Sequence, residues 1–240
     1  MVRDEEDIVG DTVAHMLTQV DHVIVADNRS VDGTRKILDS LDITVVDDPE
    51  VAYYQSQKMT ALAHRARVEF GADWVVPFDA DEWWVHPDGR IGDVLEGCTA
   101  WAVMEAELFD HVATGEDPSG RPIEAMGWRR AAAAPLPKVA CRTGADLVIH
   151  QGNHSVEYSA PHVSTNGLIV HHFPYRSADQ FARKAANGGE AYAATDLANE
   201  VGKHWRDYSR LTEGDRRDVF RRWFWMPEAD GTLIYDPVGS

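Results

Sequence analysis

Cysteine is scarce in this chain of 240 residues: only Cys98 and Cys141 occur, far apart and without a CxxC spacing. A disulfide framework is not expected, and both thiols are read as buried and free. Long hydrophobic runs are missing too. No stretch approaches the ~20 apolar residues of a membrane-spanning helix, and Met1-Val2-Arg3-Asp4-Glu5-Glu6-Asp7 lacks the apolar core of a secretory leader. The expected protein is cytoplasmic and not integral to a membrane. Positive charge is in deficit, with 23 Lys and Arg against 40 Asp and Glu and a formal net charge of -17. Repulsion over a Debye length of about 8 Å at physiological salt disfavours nonspecific contact with nucleic acid or anionic lipid. Internal repeats, low-complexity tracts and a Gly-rich phosphate loop are also absent, Gly33-Thr34 alone being too slight for the last. With 44% hydrophobic residues, the chain still has enough apolar content for a substantial core.

What is present is an acidic cluster behind an apolar run. Trp74-Val75-Val76-Pro77-Phe78 reads as an interior strand covered on both faces, and Asp79-Ala80-Asp81 follows it directly. Open α/β sheets bind ligands beyond the carboxyl ends of their strands, so the two aspartates stand where a divalent cation is usually held. Glu82 adds another carboxylate, and repulsion within the cluster is costly unless a cation, a substrate or open water relieves it. The same residues also describe an acidic turn capping the next element.

The first ~90 residues alternate between apolar runs and helix-like segments, an α/β signature. Residues 8–20 carry apolar side chains at helical spacing, and His22-Val23-Ile24-Val25-Ala26 is a strand that ends on Asp27-Asn28. Ser30-Val31-Asp32-Gly33-Thr34 opens a helix through Ile37 and Leu41, Ile43-Thr44-Val45-Val46 is the next strand, and residues 56–70 the next helix. Right-handed crossovers would bring Asp27 and Asp79 to one edge of a parallel sheet. Beyond residue 90 the rhythm changes. Residues 100–108 read as a strand, 109–137 as loops, and 139–141, 147–149 and 168–170 as short strands of a mixed extension. Ser177 is an N-cap, the Gly188-Gly189 pair stops its helix after about three turns, and residues 215–225 form a last helix.

Val2-Arg3-Asp4-Glu5-Glu6, Asp27-Asn28-Arg29-Ser30-Val31-Asp32-Gly33-Thr34 and Asp79-Ala80-Asp81 resemble, in that order, the motifs of family 2 glycosyltransferases with the GT-A fold; the third is similar to the DxD motif of a bacterial subgroup. Lys138-Val139-Ala140-Cys141-Arg142, Gly152-Asn153-His154 and His171-His172-Phe173-Pro174-Tyr175-Arg176-Ser177 resemble its later blocks. The resemblance implies one GT-A domain over residues 1–240 with a Rossmann-like, mostly parallel central sheet flanked by helices. Residues 1–90 would hold a nucleotide-diphosphate sugar, 91–176 would face the acceptor, and 177–240 would form a C-terminal helical segment.

The implied cofactor is Mn2+ or Mg2+, held by Asp79, Asp81 and His172, because a departing diphosphate needs its charge neutralised and hard oxygen ligands suit these ions. Arg3, Glu5, Asp27, Lys58, Asp79, Arg176 and Lys184 are the implied donor-binding residues. Glu105, Glu107 and Asp110 are the available acids for deprotonating an acceptor, which an inverting transfer requires and a retaining one does not. His154 is a weaker candidate for a diphosphate or acceptor contact. His171 precedes His172 in a strand, so only one of the two can face the crevice. Trp83, Trp84, Trp101 and Trp128 suit a sugar platform or a core, whereas Trp205, Trp223 and Trp225 fall on helical segments where burial explains them. The acceptor is unspecified: a protein, a lipid-linked species or a small molecule all fit. A nucleotidyltransferase, a metal-dependent phosphohydrolase and a catalytically silent nucleotide-sugar-binding module are the competing expectations.

Overall fold

The computed structural model describes residues 1–115, 120–157, 162–163, 167–226 and 228–238. Helix α1 (Val9–Gln19) forms where apolar residues recur every three to four positions, and Val9, Val13 and Met16 are all buried. Each such burial contributes roughly 1.5–3 kcal/mol before entropy is counted. The chain then runs through β1 (Ile24–Asp27), α2 (Thr34–Leu38), β2 (Thr44–Asp47) and α3 (Gln55–Phe70). Strands β1 and β2 pair in parallel, residue 27 opposite residue 47, and Val2 bridges Asp27 on the other edge of β1. Helix α3 ends on Gly71, whose φ of +67° is the left-handed cap that glycine adopts without penalty.

The second half is built on a larger sheet. It comprises β3 (Trp74–Val75), β4 (Glu82–Val85), β5 (Val103–Asp110), β8 (Lys138–Arg142), β11 (His162–Val163) and β12 (Ile169–His172). Between them lie α4 (Ile91–Gly97), β6 (Ala113–Thr114), α5 (Pro122–Ala125), β7 (Trp128–Arg130), β9 (Val148–Ile149) and β10 (Val156–Glu157). The strand order is β3-β8-β5-β12-β4, with β11 also on β5. Pairing is mixed: β5 is parallel to β12 and β11, while β3, β8 and β4 run antiparallel to their neighbours. The architecture is α/β, with its parallel β1–β2 pair in the first half and the mixed sheet after it.

Three helices, α6 (Ala178–Ala193), α7 (Lys203–Ser209) and α8 (Glu213–Trp223), then pack together, followed by β13 (Trp225–Met226) and β14 (Leu233–Tyr235). Ser177 caps α6 as expected, its hydroxyl accepting from Gln180 N–H at 3.1 Å. The expected stop at Gly188-Gly189 is corrected: the helix runs on to Ala193. A Cβ on Gly189 would lie 2.0 Å from the Ser209 Cβ, and one on Gly188 3.0 Å from the Trp205 ring. These glycines are there for close helix packing, not termination.

Two further expectations change. The run 74–78 is a strand only over Trp74–Val75 and lies at one end of the sheet's strand order. The stretch 109–137, expected as loops, contains β6, α5 and β7, whose partners β13 and β14 lie about a hundred residues further on. Local periodicity carries no trace of partners so distant. Cys98 and Cys141 are free, Cys141 buried and Cys98 partly so. Among the described residues no helix is long and apolar enough to cross a membrane.

Candidate active site

The acidic cluster behind β3 opens into a cavity of about 340 Å³ that lies against α6 and α7. Arg3, Glu5, Asn28, Asp79, Asp81, His172 and Lys184 reach it, along with Tyr53, Tyr175, Tyr192, His204 and Trp205. Its carboxylates are relieved by the chain's own cations. Asp79 Oδ2 takes the Lys138 ammonium at 2.8 Å, and Glu82, fully buried, takes the same ammonium at 2.6 Å. Burial opposes charge on Lys138, but the two carboxylates outweigh it and hold the amine well above its ordinary value. Burial likewise pushes the Asp79 carboxyl up, and Lys138 brings it below the usual range. Glu82 stays raised because burial dominates there.

Asp81 belongs to a second cationic group. It ion-pairs with Lys184, lies 3.8 Å from the Arg176 Nη1 and faces the His172 Nε2 at 3.7 Å. Burial raises this carboxyl, yet Lys184, His172 and Arg176 together lower it well below the usual range. His172 shows the converse. Burial lowers it, but Asp81 and a 2.7 Å hydrogen bond from Nδ1 to Asp110 Oδ1 raise it above 6.5.

The backbone around these groups explains the motif order. The Asp4 carboxylate accepts from Val31 N–H at 2.7 Å, and Glu5 N–H donates to the Thr34 hydroxyl at 2.8 Å. The Arg-Asp-Glu block is thus docked on the Ser30–Thr34 turn, which puts Arg3 and Glu5 at the cavity. Asp27 ties that turn down by accepting from Ser30 N–H at 3.1 Å. The Gly152-Asn153 corner, with φ of +79° and +57°, presents the Gly152 carbonyl to Lys138 at 2.8 Å. Gln55 and Asn153 donate to Asp79 Oδ1 at 3.1 and 3.3 Å.

Of the donor-binding residues expected from sequence, Arg3, Glu5, Asp79 and Lys184 border the cavity. Arg3 pairs with Glu190 at 2.6 Å, and among the described residues its buried Nε and Nη1 find no hydrogen-bond acceptor. Asp27 does not border the cavity; its neighbour Asn28 does. Lys58 turns to Asp48 at 2.6 Å and the Glu50 carbonyl at 2.7 Å. Arg176, 1% exposed, braces Glu5, Asp7 and the Phe173 carbonyl, so its guanidinium is directed inward.

On β5, Glu105 and Glu107 alternate with the buried Met104, Ala106 and Leu108, while Asp110 shares the parity of the latter and meets His172 across the parallel pair. Asp110 is thereby bonded to a cavity residue, His172. His154 hydrogen-bonds the Pro137 carbonyl at 2.8 Å. Of the two readings of the tryptophans, packing fits Trp83, Trp84 and Trp128. Trp84 is buried, Trp83 stacks on His15, Trp128 packs on Tyr235, and Trp205, expected in the core, borders the cavity with the tyrosines. Lys138 is the participant that sequence reasoning gave no role; its signal is a lone charge heading the apolar run Val139-Ala140-Cys141.

Among the described residues no group of three or more His, Cys, Asp and Glu side chains is assembled as a metal site. Asp81 and His172 nevertheless fit one: a histidine whose Nδ1 bonds a carboxylate and whose Nε2 faces an aspartate is the usual arrangement of an imidazole ligand.

The family model described as glycosyl transferase family 2 matches residues 1–118. Over that segment, just under half of its length, the chain is similar to family 2 glycosyltransferases. No curated protein matches it. Among solved structures it is similar to S. aureus TarS 1-349, at 12% identity and a TM-score of 0.44 over 92% of this chain and 71% of that one. It is also similar to S. aureus TarS 1-349 in complex with UDP, at 11% identity and a TM-score of 0.41 over 92% of this chain and 73% of that one.

Proposed function

We propose that this chain is a glycosyltransferase that takes its sugar from a nucleotide-diphosphate donor bound in the cavity beside Asp81, assisted by Mn2+ or Mg2+, and acts in the cytoplasm. The observation that carries the reading is Arg3: among the described residues two of its guanidinium nitrogens, Nε and Nη1, are buried without acceptors, and Arg3 borders a cavity that already contains Lys184. An unpaired buried donor costs about 1–3 kcal/mol, which an anionic ligand would recover. A diphosphate is the anion that a family 2 donor would bring. Tyr53, Tyr192 and Trp205 offer aromatic faces for a base or sugar.

Asp81 and His172 are the residues that would hold the cation, with Asp79 behind them on Lys138. When bound, it supplies positive charge to the departing diphosphate. A cation would compete with Lys184 for the same Asp81 oxygen and would require His172 in its neutral form, which Asp81 and Asp110 disfavour. We assign the acceptor's proton to Asp110. Its side chain is 43% exposed, and Oδ1 alone is engaged by His172, leaving Oδ2 for an acceptor hydroxyl. Glu105 and Glu107 leave the opposite face of β5 and take no part.

The test is release of nucleoside diphosphate from a panel of nucleotide sugars with Mn2+, comparing the parent with Asp81→Ala and Arg3→Ala. Asp81→Ala is expected to slow turnover at least about 100-fold, the loss typical for a deleted electrostatic group. Arg3→Ala is expected to raise KM. Unchanged turnover in a folded Asp81→Ala protein overturns the reading.

A further inference from the structure

One face of α6 lines the cavity beside Asp81: Lys184, Asn187, Gly188, Ala191 and Tyr192 reach it at the three- and four-residue spacing of a helix. Lys184 is committed to Asp81. Asn187, about one turn further on, is committed by half. Its Nδ2 donates to Asp4 Oδ2 at 2.7 Å, while among the described residues its Oδ1 takes no hydrogen bond and is not enclosed.

The carboxylate decides which way this amide points. Asp4 is 6% exposed, its other oxygen accepts from Val31 N–H, and its own N–H donates to the Ser30 hydroxyl at 3.0 Å, so it is fixed to the turn of residues 30–34. Its φ of +57° is a left-handed conformation that Asp tolerates better than most side chains do. An ionised carboxylate only accepts. Turning the Asn187 amide over would set oxygen against oxygen, so Asp4 holds Nδ2 and leaves Oδ1 for a ligand. The other amides at the cavity are spent or recessed. Gln55 donates to Asp79 and accepts from Gly152 N–H at 2.7 Å, and Asn28, its Nδ2 engaged by Asp48 and Glu50, is 6% exposed. Along α6, Asn187 lies between Lys184 and Glu190, the partner of Arg3. A diphosphate on Arg3 and Lys184 would bring its hydroxyl-bearing neighbours to that oxygen.

We infer that Asn187 is a specificity-determining residue: positioned by Asp4, its Oδ1 accepts from a hydroxyl of the donor molecule and disfavours donors that lack it. The inference rests on the nucleotide-sugar reading above and adds to it the group that α6 recognises beside the diphosphate. Residue 187 lies outside the segment that matches the family model, so the assignment comes from this contact alone. A site built to hydrogen-bond a hydroxyl rejects the deoxy analogue because its own polar atom is then left unpaired. The hydroxyl belongs to the ribose or to the transferred sugar, and titration separates the two.

The probes are UDP and GDP, their dideoxyribose counterparts, UDP-glucose and GDP-mannose, each titrated calorimetrically into the full chain with Mn2+. If ribose supplies the hydroxyl, the parent should bind a nucleoside diphosphate at least about tenfold more tightly than its dideoxyribose form. If the sugar supplies it, a nucleotide sugar should bind at least about tenfold more tightly than its diphosphate. Asn187→Leu, which keeps the volume and loses the oxygen, should bring that ratio below about two. Asp4→Asn should lower it as well, because an amide partner accepts either orientation of Asn187. The side-chain NH2 signals of Asn187, identified by their loss in Asn187→Leu, should move in Asp4→Asn with no ligand added. Equal affinities within every pair in the parent, or an unchanged ratio in either folded variant, overturn the inference while diphosphate binding stands. Absence of all binding by the parent overturns the nucleotide-sugar reading and this inference with it. Asp4→Asn carries the test if Asn187→Leu does not fold.

Discussion

His171 and His172 are consecutive on β12, yet their surroundings drive them in opposite directions. His171 lies on the side of His111, Phe173 and the Met126 carbonyl, where burial lowers both imidazoles, His111 to about 4. A carbonyl only accepts, so His111 Nδ1 carries the proton donated to Met126, and its Nε2 receives one from His171 Nδ1 at 2.9 Å. A second proton on His111 would face that donor. His172, one residue on, meets Asp81 and Asp110 and is raised instead. Residue type and sequence position are nearly constant across this comparison, so the difference isolates what neighbouring groups do to an imidazole. One face of the strand stores a hydrogen-bond chain of imidazoles that burial keeps toward the neutral form; the other holds an imidazole whose two carboxylate neighbours favour its charged form.

The strongest way to break the contrast is to remove a cation from the acidic side. Lys138→Met leaves Asp79 and Glu82 buried without their shared ammonium, and the expected loss is about 3–5 kcal/mol in urea or thermal unfolding. A loss under about 1 kcal/mol would show that the cluster is relieved by solvent instead. The neutral side is broken by acid. His111 folds with a pKa near 4 against 6.5 when unfolded, so the unfolded chain binds the extra proton between those values. Its contribution is complete above about 6.5 and is lost as pH falls toward 4, roughly 3 kcal/mol for this one group. Asp236 favours the charged form there and Arg129 opposes it. His111→Asn should flatten this part of the stability profile; an unchanged slope between pH 6.5 and 4 refutes the assignment. His172 has the opposite sign: its stabilisation is present below 6.5 and fades as pH rises through its elevated pKa. Imidazole NMR titrations should therefore place His172 above 6.5 and His111 far below.

Much of the frame that carries both faces was legible in the sequence. Helices α1 and α3 and strands β1 and β2 fall within about two residues of the positions that apolar spacing indicated, because their burial is set by residues a few positions apart. Asp79 and Asp81 were marked by their place behind an apolar run and His172 only by a family resemblance, and the cavity brings those three together. What escaped depends on distant partners. Gly188-Gly189 reads locally as a stop and structurally as a seat for Trp205 and Ser209. Lys138 lies 59 residues from Asp79, and nothing in either neighbourhood announces the other. Arg176 resembles a phosphate ligand until its guanidinium is seen filled by Glu5 and Asp7.

The smaller effects sharpen the contrast along β5. Asp110→Asn keeps the side chain's shape but removes the carboxylate that we assign to the acceptor's proton and that elevates His172. Turnover should fall about 100-fold, and the His172 titration should move toward lower pH in the same variant. A drop in turnover without that movement would separate the proton-accepting role from the positioning one. Glu107→Gln, three residues earlier on the same strand and exposed on the opposite face, should change stability by less than about 0.5 kcal/mol and turnover not at all. If Glu107→Gln impairs turnover while Asp110→Asn does not, the acceptor approaches from the other side of the sheet, and period-two alternation has been read in the wrong register for this site.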